Sequence, residues 1–395
     1  MIHSVHITLE PQDAALLSPY DEAHAEQVQH FHRSFPAYAQ TPLTELPALA
    51  AYLGLAGISI KDESFRFGLN AFKVLGGSYA MGRFIADRLD IPALQMNYPD
   101  MISPETRRRL GDITFITATD GNHGRGVAYT AAQLGQRCIV LLPAGTVPER
   151  LQNIAALGAE ASITQFCYDD TVRLAASLAA ENGYVLIQDT AWEGYEEIPA
   201  RIMQGYTTLA REILSQQKSM PTHLLLQAGV GSMAAAVAAC FAQAAGPALR
   251  IIIVEPEDAD CIYQSAKAGD GLPHATEGSL HSIMAGLCCG EPCTLALKIL
   301  RQTASDYVTI TDDIAALGMR VLGNPLPGDP RIVSGESGAS TTGFLVELMR
   351  HPAYGQLRDE LGLCPDSRVL CISTEGATDL LNYRAVVWNG KYPTE

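Results

Sequence analysis

The 395-residue chain contains no long apolar run. Its most apolar stretches, such as 223–228 and 251–254, are far too short to span a bilayer core of roughly 30 Å. Basic residues are scarce: 27 Lys and Arg stand against 43 Asp and Glu, a formal net charge of −16. A surface of that sign repels phosphate, which argues against a nucleic-acid or anionic-membrane binder and leaves a small-molecule substrate as the expected partner. The first 25 residues carry acids and histidines and lack a basic start followed by an apolar core. No secretory leader is read there, and a cytoplasmic location is expected. No CxxC pair occurs among the nine cysteines, and only Cys288, Cys289 and Cys293 lie close together. Reduced, packed thiols and no metal site are expected, with pairing among Cys261, Cys288 and Cys289 left open. Internal repeats, low-complexity segments and long charge runs are missing too.

What the chain does have is alternation. Short β-branched runs at 113–117, 137–142, 161–164, 184–188, 223–227, 250–254 and 368–372 read as strands. Between them, 126–134, 148–157, 171–180, 198–214, 232–244 and 337–350 read as helices. Apolar strands bounded by helices are the pattern of parallel sheets covered on both faces. The expected fold is therefore α/β, with two domains that are each an open, mostly parallel sheet flanked by helices. Residues 1–83 with 196–395 are expected to form the larger, cofactor-binding domain and 84–195 the smaller one, with the active site between them.

In such sheets ligands bind beyond the C-terminal ends of strands. Thr119-Asp120-Gly121-Asn122-His123-Gly124 follows one strand and opens a helix. Gln227-Ala228-Gly229-Val230-Gly231-Ser232-Met233-Ala234 does the same further on, spaced as G-x-G-x-x-A. Glycines there let backbone approach a phosphate, and a helix start offers unpaired N–H groups. With Glu255 ending the next strand as a ribose partner, a nucleotide-dependent dehydrogenase is one reading of this loop. The loop indicates phosphate without saying which. Lys73, in Asn70-Ala71-Phe72-Lys73 at the start of a helix read at 72–89, is either a solvated residue or a reactive amine. Asp120 and Asp189 are either helix caps or acids at a site.

Order and spacing decide among these. The lysine, the Asn122 motif and the glycine loop resemble the fold-type II pyridoxal-phosphate enzymes, similar to tryptophan synthase β and the serine and threonine dehydratases. Five stretches between residues about 60 and 380 resemble the diaminopropionate ammonia-lyases more closely. They are Lys61-Asp62-Glu63-Ser64 running on to Phe67–Lys73, Thr119–Ala128, Asp189–Tyr195, Ser334–Ala339 and Ser373–Gly376.

That resemblance implies pyridoxal 5′-phosphate, bonded by Lys73 as a Schiff base. Asn122 would meet the ring hydroxyl oxygen; the backbone of Gly229, Val230, Gly231, Ser232 and Met233 would hold the phosphate. Thr374 would face the pyridine nitrogen with a hydroxyl rather than a carboxylate. The implied reaction is α,β-elimination from 2,3-diaminopropionate to pyruvate and two ammonia. Lys73 would take the α-proton of the L-isomer and Asp120 that of the D-isomer, while Asp189 orients or exchanges protons with the β-amine. A homodimer is implied as well. Glu336 and Ser337 are read as lining the cofactor or the substrate carboxylate, His123 as a packing or hydrogen-bonding residue, and Trp192 and Tyr195 as wall. A serine or threonine dehydratase is the same-fold rival, against which two acids speak. A non-catalytic cofactor carrier could dispense with both.

Overall fold

The computed structural model describes residues 2–92 and 95–394. The chain opens with β1 (His3–His6), β2 (Leu43–Glu45) and β3 (Gly57–Asp62). It continues through β4 (Thr114–Ala118), β5 (Arg137–Leu142), β6 (Glu160–Ile163) and β7 (Val185–Leu186). It closes with β8 (His223–Gln227), β9 (Arg250–Pro256), β10 (Asp306–Ile310) and β11 (Arg368–Ser373). These build two sheets, ordered β1-β10-β9-β8-β11-β3-β2 and β6-β5-β4-β7. The smaller sheet is wholly parallel. In the larger one, five central strands are parallel and the edge strands β1 and β2 run antiparallel. The expected α/β class, open and mostly parallel, is what the structure has.

Burial explains why these segments are strands. Every residue of β8 and β10 is buried, as a strand covered by helices on both faces must be. The helix Ser232–Ala245 covers the central strands, and its alanines are buried from Ala234 to Ala239. Among the described residues no helix is long and apolar enough to cross a membrane. All nine cysteines are free thiols.

β1, β2, β3 and β10 had no counterpart in the sequence pattern. β1 is a short, largely exposed edge strand with Val5 as its single apolar residue, so it shows no apolar run. β3 ends in Lys61 and Asp62, yet both are buried. The Lys61 ammonium lies 2.7 Å from Glu212 Oε2, and the Arg66 guanidinium lies 2.8 Å from carboxylate oxygens of both Glu63 and Glu212. All four of these side chains are fully buried, so a charged sequence forms part of the interior. The network pins the β3 segment beneath the helix Glu197–Gln216.

The helix Val74–Arg88, which follows the lysine, is gripped on two sides by backbone. A Cβ on Gly126 would lie 2.8 Å from Val74 Cα, and one on Gly205 would lie 2.5 Å from Leu75 O. Helices from each side thus meet the first turn without a side chain between them. The carboxyl ends of β4, β7, β8 and β11 converge around that turn.

Candidate active site

Residues 70–73 are tied to the end of β11. Phe72 N donates to Thr374 O at 3.2 Å, and Gly376 N donates to Asn70 O at 3.0 Å. This places Lys73 at the floor of a cavity, its ammonium 3.0 Å from Asp189 Oδ2 and 3.7 Å from Asp120 Oδ1. Burial alone would push the lysine down, but Asp189 and then Asp120 outweigh it and hold it well above the ordinary value. Burial likewise pushes the Asp189 carboxyl up, whereas His123, Lys73 and Tyr168 beside it bring it down to about 2.

A determined chain of donors holds Asp189. Ala118 N donates to Gln188 Oε1 at 3.0 Å, which turns the Gln188 amide nitrogen toward Tyr168. That nitrogen donates to the Tyr168 hydroxyl at 3.0 Å, and the hydroxyl donates on to Asp189 Oδ1 at 3.2 Å. Because Gln188 Oε1 is committed to a backbone N–H, the tyrosine proton has one direction left to point. His123 Nε2 donates to Ile187 O at 2.7 Å, and its Nδ1 sits 3.8 Å from Asp189 Oδ2.

The cavity is lined by Lys73, Asn122, Asp189, Gly229, Val230, Gly231, Ser232, Met233 and Thr374, together with Tyr168, Tyr206, Gln227, Gly286, Cys289, Ser337 and Glu375. Asp120 stands beside this set: its Oδ2 is buried without a hydrogen-bond partner and lies 3.9 Å from Arg150. It is no helix cap: the first-turn amide of Gly124 in the helix Asn122–Gln133 donates to Thr119 Oγ1 at 3.0 Å instead. Ser337 lines the cavity as anticipated. Glu336 is buried elsewhere: it accepts from Asn382 at 2.6 Å, and burial followed by Glu375 pushes its carboxyl up to about 7. Trp192 and Tyr195 stack with centroids 4.5 Å apart, outside the cavity lining.

The lining fits a phosphorylated pyridine. Gly231 has φ of +95°, and a Cβ on Gly229 would meet Cys289 Sγ at 3.0 Å and Leu287 Cα at 3.2 Å, so this cradle admits glycine and a ligand's oxygens. The helix Ser232–Ala245 begins there without a side-chain cap, which leaves its first-turn N–H groups for an anion. Gln227 Nε2 donates to Thr374 Oγ1 at 3.1 Å, freeing the threonine proton for a ring nitrogen. Buried atoms without partners gather here: Asp120 Oδ2, His123 Nδ1, Tyr206 hydroxyl, Gln227 Oε1 and Ser337 Oγ. A dinucleotide fits less well. Glu255 is fully enclosed and accepts from Ile262 N at 2.9 Å and Tyr263 N at 2.6 Å, so it caps a helix and cannot hold a ribose.

Tyr168, Gln188, Arg150 and Glu375 escaped the sequence reading as site residues. Glu375 sits inside a quoted motif, whereas Tyr168 and Gln188 carried no signal beyond their proximity to strand ends.

Fold and site together define a pyridoxal-phosphate dependent enzyme, and residues 35–374 match that family's model. The chain is 49% identical over 371 residues to the diaminopropionate ammonia-lyase of Salmonella typhimurium, covering 92% of each. The solved holo diaminopropionate ammonia lyase from Escherichia coli has a TM-score of 0.93 at 44% identity, covering 100% of this chain and 98% of that one. The same lyase in complex with an aminoacrylate-PLP azomethine reaction intermediate has a TM-score of 0.91 at 45% identity, again covering 100% and 98%. The chain belongs to the diaminopropionate ammonia-lyase family.

Proposed function

We propose that this protein converts 2,3-diaminopropionate, as the D-isomer, the L-isomer or both, to pyruvate and two ammonia. The observation that carries the reading is Lys73, an amine set between Asp189 and Asp120 beside a glycine-lined phosphate cradle. Pyridoxal phosphate, for which Lys73 is the anchoring amine, would supply when bound to the substrate an electron sink for charge developing at its α-carbon. Gly229 to Met233 would hold its phosphate through backbone N–H groups, Asn122 would donate to its ring oxygen, and Thr374 would donate to its ring nitrogen.

The released Lys73 amine takes the α-proton of the L-isomer, and Asp120 takes that of the D-isomer. Asp189, held as a carboxylate by Tyr168 and Gln188, binds the β-amine in its ammonium form. The Cβ–N bond then breaks with its electron pair passing to nitrogen, so ammonia leaves without needing an added proton. The remaining three-carbon enamine takes up water and gives pyruvate and the second ammonia. A hydroxyl leaving group would gain less from two carboxylates, which favours diaminopropionate over serine or threonine.

Product stoichiometry tests this. Two ammonia per pyruvate from DL-2,3-diaminopropionate, with L-serine slow in parallel, is the expected result; ready turnover of serine with none of diaminopropionate would overturn the substrate. Three coarser points complete the proposal. Residues 1–83 with 196–395 form the larger unit and 84–195 the smaller, a division supported by the membership of the two sheets. The enzyme acts as a homodimer, which light scattering would measure, and works in the cytoplasm, which cell fractionation would test.

A further inference from the structure

We propose that Glu375 is a positioning residue for Asn122, fixing which end of that amide faces the cofactor's ring oxygen. The proposal rests on the reading that Asn122 meets this oxygen. An asparagine by itself presents either its oxygen or its nitrogen, and only the nitrogen serves a negatively charged ring oxygen. Glu375 removes the choice. Asn122 Nδ2 donates to Glu375 Oε2, and an ionised carboxylate can only accept. A turned-over amide would set oxygen against oxygen. Two hydrogens sit on Nδ2: one is spent on Glu375, and the other remains for the ring oxygen.

Glu375 is itself unable to turn. Its Oε1 accepts from Ser337 N at 3.3 Å, and its Oε2 also accepts from the Thr378 hydroxyl at 3.3 Å. Backbone encloses it: a Cβ on Gly335 would lie 3.1 Å from both Glu375 Cγ and Oε1. The residue is 2% exposed and lines the cavity. Attraction to the cofactor does not account for a carboxylate in that wall, because the cofactor's phosphate and ring oxygen are both anionic; Arg150 and Arg125 are the cations near it. Orientation and charge therefore predict opposite effects when the charge is removed.

Apoprotein would be titrated with pyridoxal phosphate, following the visible band, for wild type, E375Q, N122A and the double variant, with melting temperatures as the check on folding. E375Q can donate as well as accept, so the amide loses its bias. The expected result is cofactor binding about tenfold weaker, a displaced visible band, and little further loss when E375Q is added to N122A. Unchanged or tighter binding by E375Q would overturn the proposal, as would losses that simply add in the double variant. If E375Q does not fold, E375D, which keeps the charge but shortens the reach, carries the same expectation. Failure of wild type itself to develop a visible band, or its persistence in K73A, would strike the cofactor reading instead, so the two failures are separable.

Discussion

At the smallest scale, Lys73 and Tyr168 test the site and Glu336 tests the fold, and each can be altered singly. K73A should lose the visible cofactor band and turnover together, read by absorption and by a pyruvate assay. Y168F deletes the hydroxyl that donates to Asp189 Oδ1 and accepts from Gln188 Nε2. A hydrogen bond to a charged group is worth roughly 1.5–3 kcal/mol, so kcat/KM for diaminopropionate should fall by about tenfold or more at unchanged fold. Serine, with no β-ammonium, should be affected less, and the ratio of the two rates is the check. Glu336 supplies a pH test. Its folded-state value is raised to about 7 from an ordinary 4.5, so the native protein binds the extra proton and stability falls as pH rises through that window. The penalty is fully present above about pH 7 and amounts to roughly 3 kcal/mol. E336Q keeps an acceptor for Asn382 and should raise the melting temperature at pH 8 while changing it little at pH 4.5. Lys73, Asp120, Asp189 and Asn122 could be named from the sequence because each sits within a contiguous motif. Tyr168 and Gln188 could not, since their role depends on one hydrogen-bonded chain between two strand ends.

Elements bring these residues together. The strands best read from sequence were those with unbroken apolar runs: 137–142 and 223–227 coincide with β5 and β8, whereas β10 is as buried as β8 but interleaves Asp306 and Thr309 and shows no such run. β3 was hidden by its own charges, whose partners on Glu197–Gln216 lie some 150 positions away, as with Lys61 and Glu212. Helix starts drifted for a similar reason. The helix Tyr168–Asn182 begins three residues before the apolar periodicity, on a first turn holding Asp169 and Asp170. The lysine helix depends on glycine on both sides. G126A would set a methyl 2.8 Å from Val74 Cα, where nothing flexible can yield. Overpacking of that kind typically costs about 1–3 kcal/mol. The melting temperature should drop, and the cofactor band should shift because Lys73 adjoins the displaced turn.

At the scale of the whole molecule, the larger sheet is closed by segments far apart in sequence: β3 from the first quarter pairs with β11 near the end. No local pattern announces such a pairing, which is why the sequence placed the amino-terminal residues in a domain without assigning them strands. Its integrity relies on the buried network of Lys61, Glu63, Arg66 and Glu212. Neutralising one member leaves the others buried and unbalanced, so E212Q should cost about 3–5 kcal/mol in denaturant unfolding.

The glycine contacts around the lysine helix have one more consequence, and it concerns time. Amide hydrogens exchange with solvent only when their hydrogen bonds open, and opening needs room. Helix backbone pressed against backbone at Val74 and Leu75 offers none. Deuterium should therefore enter residues 74–82 last, at the rate of global unfolding, while the exposed β6 edge labels early. On the proposed mechanism, Lys73, which would break and remake a covalent bond every turnover, would then be anchored in one of the slowest-breathing parts of the protein.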